Sequence, residues 1–592
     1  MQKFSIFHYL KPYKSAFIIA CLAIIFETFL EISIPFLMNN LLDNGMTVDG
    51  DTYTINLSYT LMMGGVMIVF ALVALGLGIL TAKFTAKAGR GLGYELRKQE
   101  YRKIQSFSFK NLDSFRVNSL VTRMTNDIQI ISDTFCQSLR PMLRSPISLV
   151  FSIVLALIMS RELSVVFGII VPFLAAILIV MAILVRPKFV RVQAAIDRVN
   201  RTVQESLVAM KLVRANAKKD FEIHKFEDVN KEVKRLGTSS SSLIASNMAI
   251  MQFMTYACII GILYVGGTNV LNLTSNQAVI INNMATFLNY VTQTLAALNM
   301  LSNVFMSLSR AEASYTRVKE VFQANSEIKD NPDSTLEMKD GSISFQDVTF
   351  SYSDNLSKAV LQDINFSISD GEFVGILGQT GSSKSTLIYL LERFYDVSKG
   401  AIYISDHNVK DYSLKELRKN IAICFQSPRL FTGTIKENLR WGDKEASDEE
   451  IIEACKIACC YDFIVNKLPD GFDTELGQTG SNVSGGQRQR LCIARALLRK
   501  PKILILDDSF SALDRVTEGE LKKNLREKLP HMTKIVIAQK VSTIQDADKI
   551  IVLNDGKINS IGDSKTLLAT DEIYQDIYNL QNEGMMDASR SN

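Results

Sequence analysis

A chain of 592 residues is too long for a single hydrophobic core, and a net charge of +4 is too small at this length for the basic face of a nucleic-acid-binding protein. Eight cysteines show no paired spacing that would imply a disulfide scaffold. Cys455, Cys459 and Cys460 lack the second pair of ligands that a tetrahedral zinc site requires, and they read as buried thiols in a reducing compartment.

In chain order, the opening stretch MQKFSIFHYLKPYK, with Phe4, Phe7, Tyr9 and Leu10, is predicted to lie along a membrane surface. The apolar run after it is longer than the core of a signal peptide and has no clear small-residue cleavage site, so it reads as a signal-anchor helix. Six segments are long enough to span a bilayer: 16–41, 59–82, 143–160, 163–185, 243–270 and 278–308. The loop 43–58 holds Asp43, Asp49 and Asp51 and no base, and the loop 271–277 holds no charge. The segments 82–142 and 186–242 are dense in Lys and Arg, which places both of them, and both termini, on the cytoplasmic side. Apolar residues recur there at helical spacing, as at Leu92 and Leu96 or Val199, Val203 and Leu207. The prediction is a membrane domain over 1–322 whose helices continue into the cytosol and turn back at Phe107–Arg116 and Val213–Phe221.

Ionisable groups at membrane depth are functional candidates. Glu27 and Glu31 share one face of the first helix, and Asn282, Asn289 and Gln293 share one face of the sixth. These faces are expected either to line a water-filled, mildly acidic substrate cavity or to hydrogen-bond between helices.

A polar linker, 323–341, leads to a soluble α/β domain, 342–580, and a C-terminal tail, 581–592. The predicted strand Glu372–Leu377 runs into GQTGSSKST and then the helical stretch Leu387–Phe394. That strand–loop–helix order is the setting of a phosphate-binding loop, in which backbone N–H groups and a helix N-terminus cradle the phosphates. Gly378, Gln379, Thr380, Gly381, Ser382, Ser383 and Thr386 form it, Lys384 reaches the β and γ phosphates, and the Ser385 hydroxyl holds Mg²⁺. Ser383 stands where the loop pattern has Gly before the Lys. Ile503–Leu506 reads as a buried strand ending in Asp507, suited to hold Mg²⁺ through water, and Asp508, at the position of the base for the attacking water. Asp is one methylene shorter than Glu, which sets the carboxylate back by about 1 Å.

Residues 342–580 resemble an ATP-binding cassette, and the six-span arrangement before them resembles the exporter type of that family. The resemblance makes Tyr352 the aromatic that stacks on adenine, and Gln426 the glutamine that senses Mg²⁺ and contacts the membrane half. It makes Ser484, Gly485, Gly486 and Gln487 the family signature, which contacts ATP held by the opposite cassette, with Val483 for the usual Leu. Ser511, Ala512, Leu513 and Asp514 match the loop after the acidic strand, and the two turning points match coupling helices. The family places His at Gln539, and none of His8, His224, His407 and His531 can take its place.

Ser383, Asp508 and Gln539 thus depart from the pattern around one phosphate, as in one subunit of heterodimeric bacterial multidrug exporters. The resemblance implies an α-helical membrane domain followed by an α/β P-loop domain, in a multi-pass plasma-membrane protein using ATP and Mg²⁺. It implies a second half-transporter carrying the competent catalytic Glu, contact with membrane lipid, and small hydrophobic or cationic drug-like substrates, with no nucleic-acid partner. A lipid or peptide exporter of the same build and an ATP-binding regulatory subunit are the alternatives.

Overall fold

The computed structural model describes residues 4–49, 52–159, 161–272, 277–353, 355–379 and 381–590. It divides into two units, Met1–Ser106 with Arg116–Ala324 and Phe107–Phe115 with Asn325–Asn592.

Among the described residues the first unit is built on six long helices: Lys14–Gly45, Leu57–Gln105, Ile128–Met159, Arg161–Val208, Lys219–Asn272 and Gln277–Gln323. The second of these has 49 residues, and at 1.5 Å per residue it is about 70 Å long. That is more than twice the thickness of a bilayer's apolar core, so the helix must continue beyond it. Among the described residues, four stretches are long and apolar enough to cross a membrane by length and composition: Ile6–Gly45, Leu57–Gln105, Val117–Ile158 and Lys219–Thr268. Leu61, Ile68, Leu72, Leu75 and Ile79 are all exposed on the second helix, a face that needs an apolar medium against it. The loop expected at 43–58 contains an antiparallel pair, Met46–Asp49 with Thr52–Ile55. Ile32, Ala156, Ile262, Phe287 and Tyr290 form one buried cluster between helices. Pro35, Pro141, Pro146, Pro172 and Pro187 lie inside helices, a placement that membrane helices tolerate. Near the expected second turning point a short helix, Met210–Ala215, precedes the long helix that starts at Lys219.

The second unit centres on a six-stranded sheet in the order 557–562, 549–554, 373–378, 533–537, 503–507, 421–424. All neighbours are parallel except the first pair. The strands Phe373–Gly378, Ile503–Asp507 and Thr533–Ile537 are buried at every position, as near-continuous apolar runs are when a parallel sheet is covered on both faces. A second, antiparallel sheet runs 361–368, 343–350, 399–404, 407–408. The short helix Phe109–Phe115, at the expected first turning point, packs into this unit. Phe109 stacks on Phe394 with centroids 4.2 Å apart, and the Tyr395 hydroxyl donates to Asp113 at 2.6 Å. The helix Glu572–Arg590 runs through most of the stretch set apart in sequence as a tail.

Candidate functional site

Parallel strand order builds the site. Ile376 pairs with Ile537, and Ile537 with Asp507, so the carboxyl ends of three strands lie side by side. Loops leaving such ends are where open α/β sheets bind their ligands. The order brings the Ser385 hydroxyl onto Asp507 Oδ2 at 2.9 Å across 122 residues of sequence.

The phosphate loop leaves its strand at Gly378 and enters the helix Lys384–Leu391. Ser383, the N-cap, has φ 66° and ψ 24°. This left-handed conformation costs an L-residue about 1–2 kcal/mol and explains why the loop pattern has Gly there. Lys384 Nζ donates to the carbonyls of Gly378 and Gln379 at 2.8 and 2.9 Å and to Ser382 Oγ at 3.4 Å. Burial holds its ammonium below the ordinary lysine range, against the pull of Asp507 and Asp508. Gly381 has φ 91° and open space beside it, whereas Thr380 lies outside the described residues. Tyr352 is partly exposed, hydrogen-bonded to Thr386 Oγ1 at 3.0 Å, and set edge-on to Tyr395. With Phe350, Leu356 and Lys110 it lines a cavity of about 330 Å³.

These groups fit ATP and Mg²⁺. The ammonium of Lys384 and the hydroxyl of Ser385 sit at the helix mouth, bonded to loop carbonyls and to a carboxylate that phosphate and metal would replace or share. Ser385, Asp507 and Gln426 would hold the Mg²⁺, which when bound neutralises charge on the β and γ phosphates.

Asp508 follows the strand at φ 46°. Two amides converge on its Oδ2: Gln426 Nε2 at 3.1 Å and Gln539 Nε2 at 3.0 Å. Burial pushes its carboxyl above the ordinary range, and the Gln426 bond and the nearby Lys384 and Lys540 push it back. Asp507 is raised in the same way, with the Ser385 bond opposing. The structure therefore brings Gln426, Asp508 and Gln539 together.

The signature opens a helix. Ser484 caps Gly485–Leu498, its hydroxyl accepting from Gln487 N–H while Gln487 Oε1 accepts from Ser484 N–H. A Cβ on Gly486 would stand 2.8 Å from the Ala512 carbonyl, so the signature and the loop Ser511–Asp514 approach too closely for a side chain there. Ser484, Gly485, Ser511, Ala512 and Asp514 are exposed, and Asp514 caps the helix Arg515–Lys528 through Thr517 N–H.

In the first unit both carboxylates pair between helices, the second of the two arrangements expected for them. Glu27 is 3% exposed, ion-paired to Arg140, and accepts from Thr81 Oγ1 at 3.4 Å. Glu31 pairs with Arg144 at 2.5 Å. The two arginines repeat the four-residue spacing of the two glutamates, so the pairs form a two-rung ladder between helices. Glu31, Arg144 and Gln293 line a cavity of about 80 Å³, while Asn282 donates to Asp43 at 3.1 Å and Asn289 to the Ala285 carbonyl at 3.3 Å. Replacing Glu27 by Gln is expected to destabilise the protein by about 1–3 kcal/mol, the cost of leaving a charged partner unmatched. The E27L/R140L pair should recover most of that loss, because an apolar pair carries no desolvation penalty. Thermal unfolding in lipid nanodiscs measures both, and an unchanged melting temperature for E27Q would contradict the pairing.

Comparison with known proteins agrees with this geometry. Residues 17–295 match the ABC transporter transmembrane region, and residues 361–511 match the ABC transporter domain. The chain is 35% identical over 573 residues to the ABC transporter ATP-binding protein YfiB of Bacillus subtilis (strain 168), covering 97% of each chain. It is 31% identical over 516 residues to an ATP-dependent lipid A-core flippase of Syntrophus aciditrophicus (strain SB), covering 87% of this chain and 84% of that one. In fold it is similar to a bacterial Atm1-family ABC exporter with ATP bound, with a TM-score of 0.80 at 23% identity over 96% of this chain and 98% of the other. A transmembrane region and an ATP-hydrolysing cassette on one chain, at this similarity to relatives along nearly its whole length, make it a member of the ABC transporter family with the build of an exporter half.

Proposed function

We propose that this chain is one half of a heterodimeric exporter of hydrophobic or amphipathic molecules, and that its own nucleotide site binds ATP and turns it over slowly. One observation carries the reading: the group at the base position is a short Asp508 carboxylate held by two amide donors, Gln426 and Gln539. These two bonds set where the carboxylate points, while burial raises its proton affinity. Its carboxylate also sits about 1 Å short of where a Glu would reach, and a misplacement of that size costs about 10²-fold in rate. Gln539 donates a hydrogen bond but takes up no proton, so it cannot replace an imidazole in that role. Lys384, Ser385 and Asp507, which bind rather than activate, are all in place.

In this account a second half-transporter supplies the competent phosphate loop and the Glu, and Ser484–Gln487 completes that partner's site. The exposed Ser484 and Gly485, with open space beside Gly485, support this role. The chain sits in the plasma membrane as six spans with its cassette in the cytoplasm, a reading supported by the basic segments 82–142 and 186–242. The Glu27 and Glu31 ion pairs remove the argument for a cation-selective cavity. Drug-like and lipid substrates therefore stand side by side, and the second reading, a lipid flippase, rests on relatives named as lipid A-core flippases. Transport and ATPase assays in proteoliposomes, with and without the partner, separate these. A lipophilic dye or a labelled lipid should stimulate hydrolysis by the pair and not by this chain alone. Brisk stimulated hydrolysis by this chain alone would overturn the slow-site reading.

A further inference from the structure

We infer that Gln581, on the C-terminal helix Glu572–Arg590, is a positioning residue for ATP hydrolysis: its carboxamide clamps the backbone of the switch at Gln539. The short helix Val541–Ile544 begins directly after the switch, and its N-cap, Lys540, makes no side-chain cap. A lysine side chain has donors only, so it cannot accept from the first N–H groups of that helix. Gln581 supplies the missing acceptor from another element: its Oε1 accepts from Val541 N–H at 2.9 Å. Its Nε2 donates to the Gln539 carbonyl at 2.8 Å. One carboxamide thus holds the main chain on both sides of Lys540.

The side chain of the clamped residue is the one that reaches the base. Gln539 Nε2 donates to Asp508 Oδ2 at 3.0 Å, so two hydrogen bonds in series connect the C-terminal helix to the carboxylate. Gln581 also forms part of the wall of a cavity of about 410 Å³ shared with Asp508, Ser511, Gln539 and Lys540. Gln581 acts through Gln539, and its effect is on where the switch points. The direction of a side chain follows its backbone, and a shift of about 1 Å at a reacting group costs about 10²-fold in rate. The clamp gives the C-terminal helix control over the switch without contact with nucleotide.

This inference rests on reading Gln539 as the switch, and its test separates failure of the clamp from failure of that reading. In the full-length protein in nanodiscs, Gln581→Ala should make the Val541 amide exchange with deuterium about fivefold faster, the effect of one lost hydrogen bond. That readout needs no turnover. In single-turnover hydrolysis of bound MgATP, the same variant should slow the chemical step about tenfold with the KM for MgATP within twofold of the parent. On a Gln539→Ala background it should add nothing. Gln581→Glu, which keeps the acceptor and loses the donor, should retain protection at Val541 and show a smaller loss of rate. Unchanged exchange at Val541 would overturn the clamp. Faster exchange with an unchanged rate, or an equal loss of rate on the Gln539→Ala background, would overturn its positioning role.

Discussion

Replacing Asp508 by Glu together with Gln539 by His is expected to raise the ATP turnover of the purified chain by about 10²-fold. The carboxylate gains a methylene and recovers about 1 Å of reach, which supplies the larger part of that factor. The imidazole restores a group near the γ-phosphate that can carry charge, which an amide cannot. Of the three departures only Ser383 is then left, at the N-cap of the loop helix, and the groups that bind are in place. Lys384 already lies on the loop carbonyls and the Ser385 hydroxyl already meets Asp507 at 2.9 Å. Neither substitution alone should reach the full effect. With Glu at 508 the residue at 539 is still an amide that takes up no proton, and with His at 539 the Asp508 carboxylate is still short. Steady-state phosphate release checks this, and a double variant no faster than the parent would mean that something other than these two side chains limits the site.

Ser484→Arg is expected to abolish nearly all ATPase activity of the complex with the partner half-transporter, a loss well beyond tenfold, while Asp508→Asn costs far less. Ser484 is exposed and its hydroxyl caps the helix that opens the signature. Arginine removes that cap, worth about 1 kcal/mol. On the proposed reading the larger effect is bulk and positive charge placed where the opposite cassette's ATP would sit. On the proposed heterodimer reading Asp508 serves only this chain's slow site, so its loss should leave the partner's turnover in place. Phosphate release by the two variant complexes, prepared alongside the parent complex, ranks them. The reverse ranking would put the catalytic load on this chain's own phosphate loop.

Much of this site could be read in the sequence because its chemistry lies in short contiguous runs. Gly378–Thr386, Ser484–Gln487 and Ser511–Asp514 each place their groups within one loop or helix start, and the strand ends beside them follow from apolar runs. The cost of Ser383 was legible as a missing Gly, and its φ of 66° gives the reason. Pairings between elements were harder to read. Arg140 fell at the end of a stretch read as a basic cytoplasmic segment, and Arg144 at the start of a span, so neither was matched to Glu27 or Glu31. The shared spacing of four residues was the available signal, since equal spacing on two helices lets two pairs form in register.

The docking of Phe109 on Phe394 and of Tyr395 on Asp113 depends on residues about 280 positions apart, with no periodicity to suggest it. Gln581 was hidden for a similar reason: a lone glutamine in a stretch read as a tail carries no pattern. Only the fold places its amide against the switch backbone.

The central claim is that this chain's site holds ATP without hydrolysing it quickly, and the fate of bound nucleotide tests it most directly. The full-length chain alone, in nanodiscs, is given radiolabelled ATP and Mg²⁺, freed of unbound nucleotide, and sampled over minutes. The account predicts that the retained nucleotide remains mostly ATP. Retained nucleotide that is mostly ADP, with phosphate released at a rate that substrate increases, would contradict it.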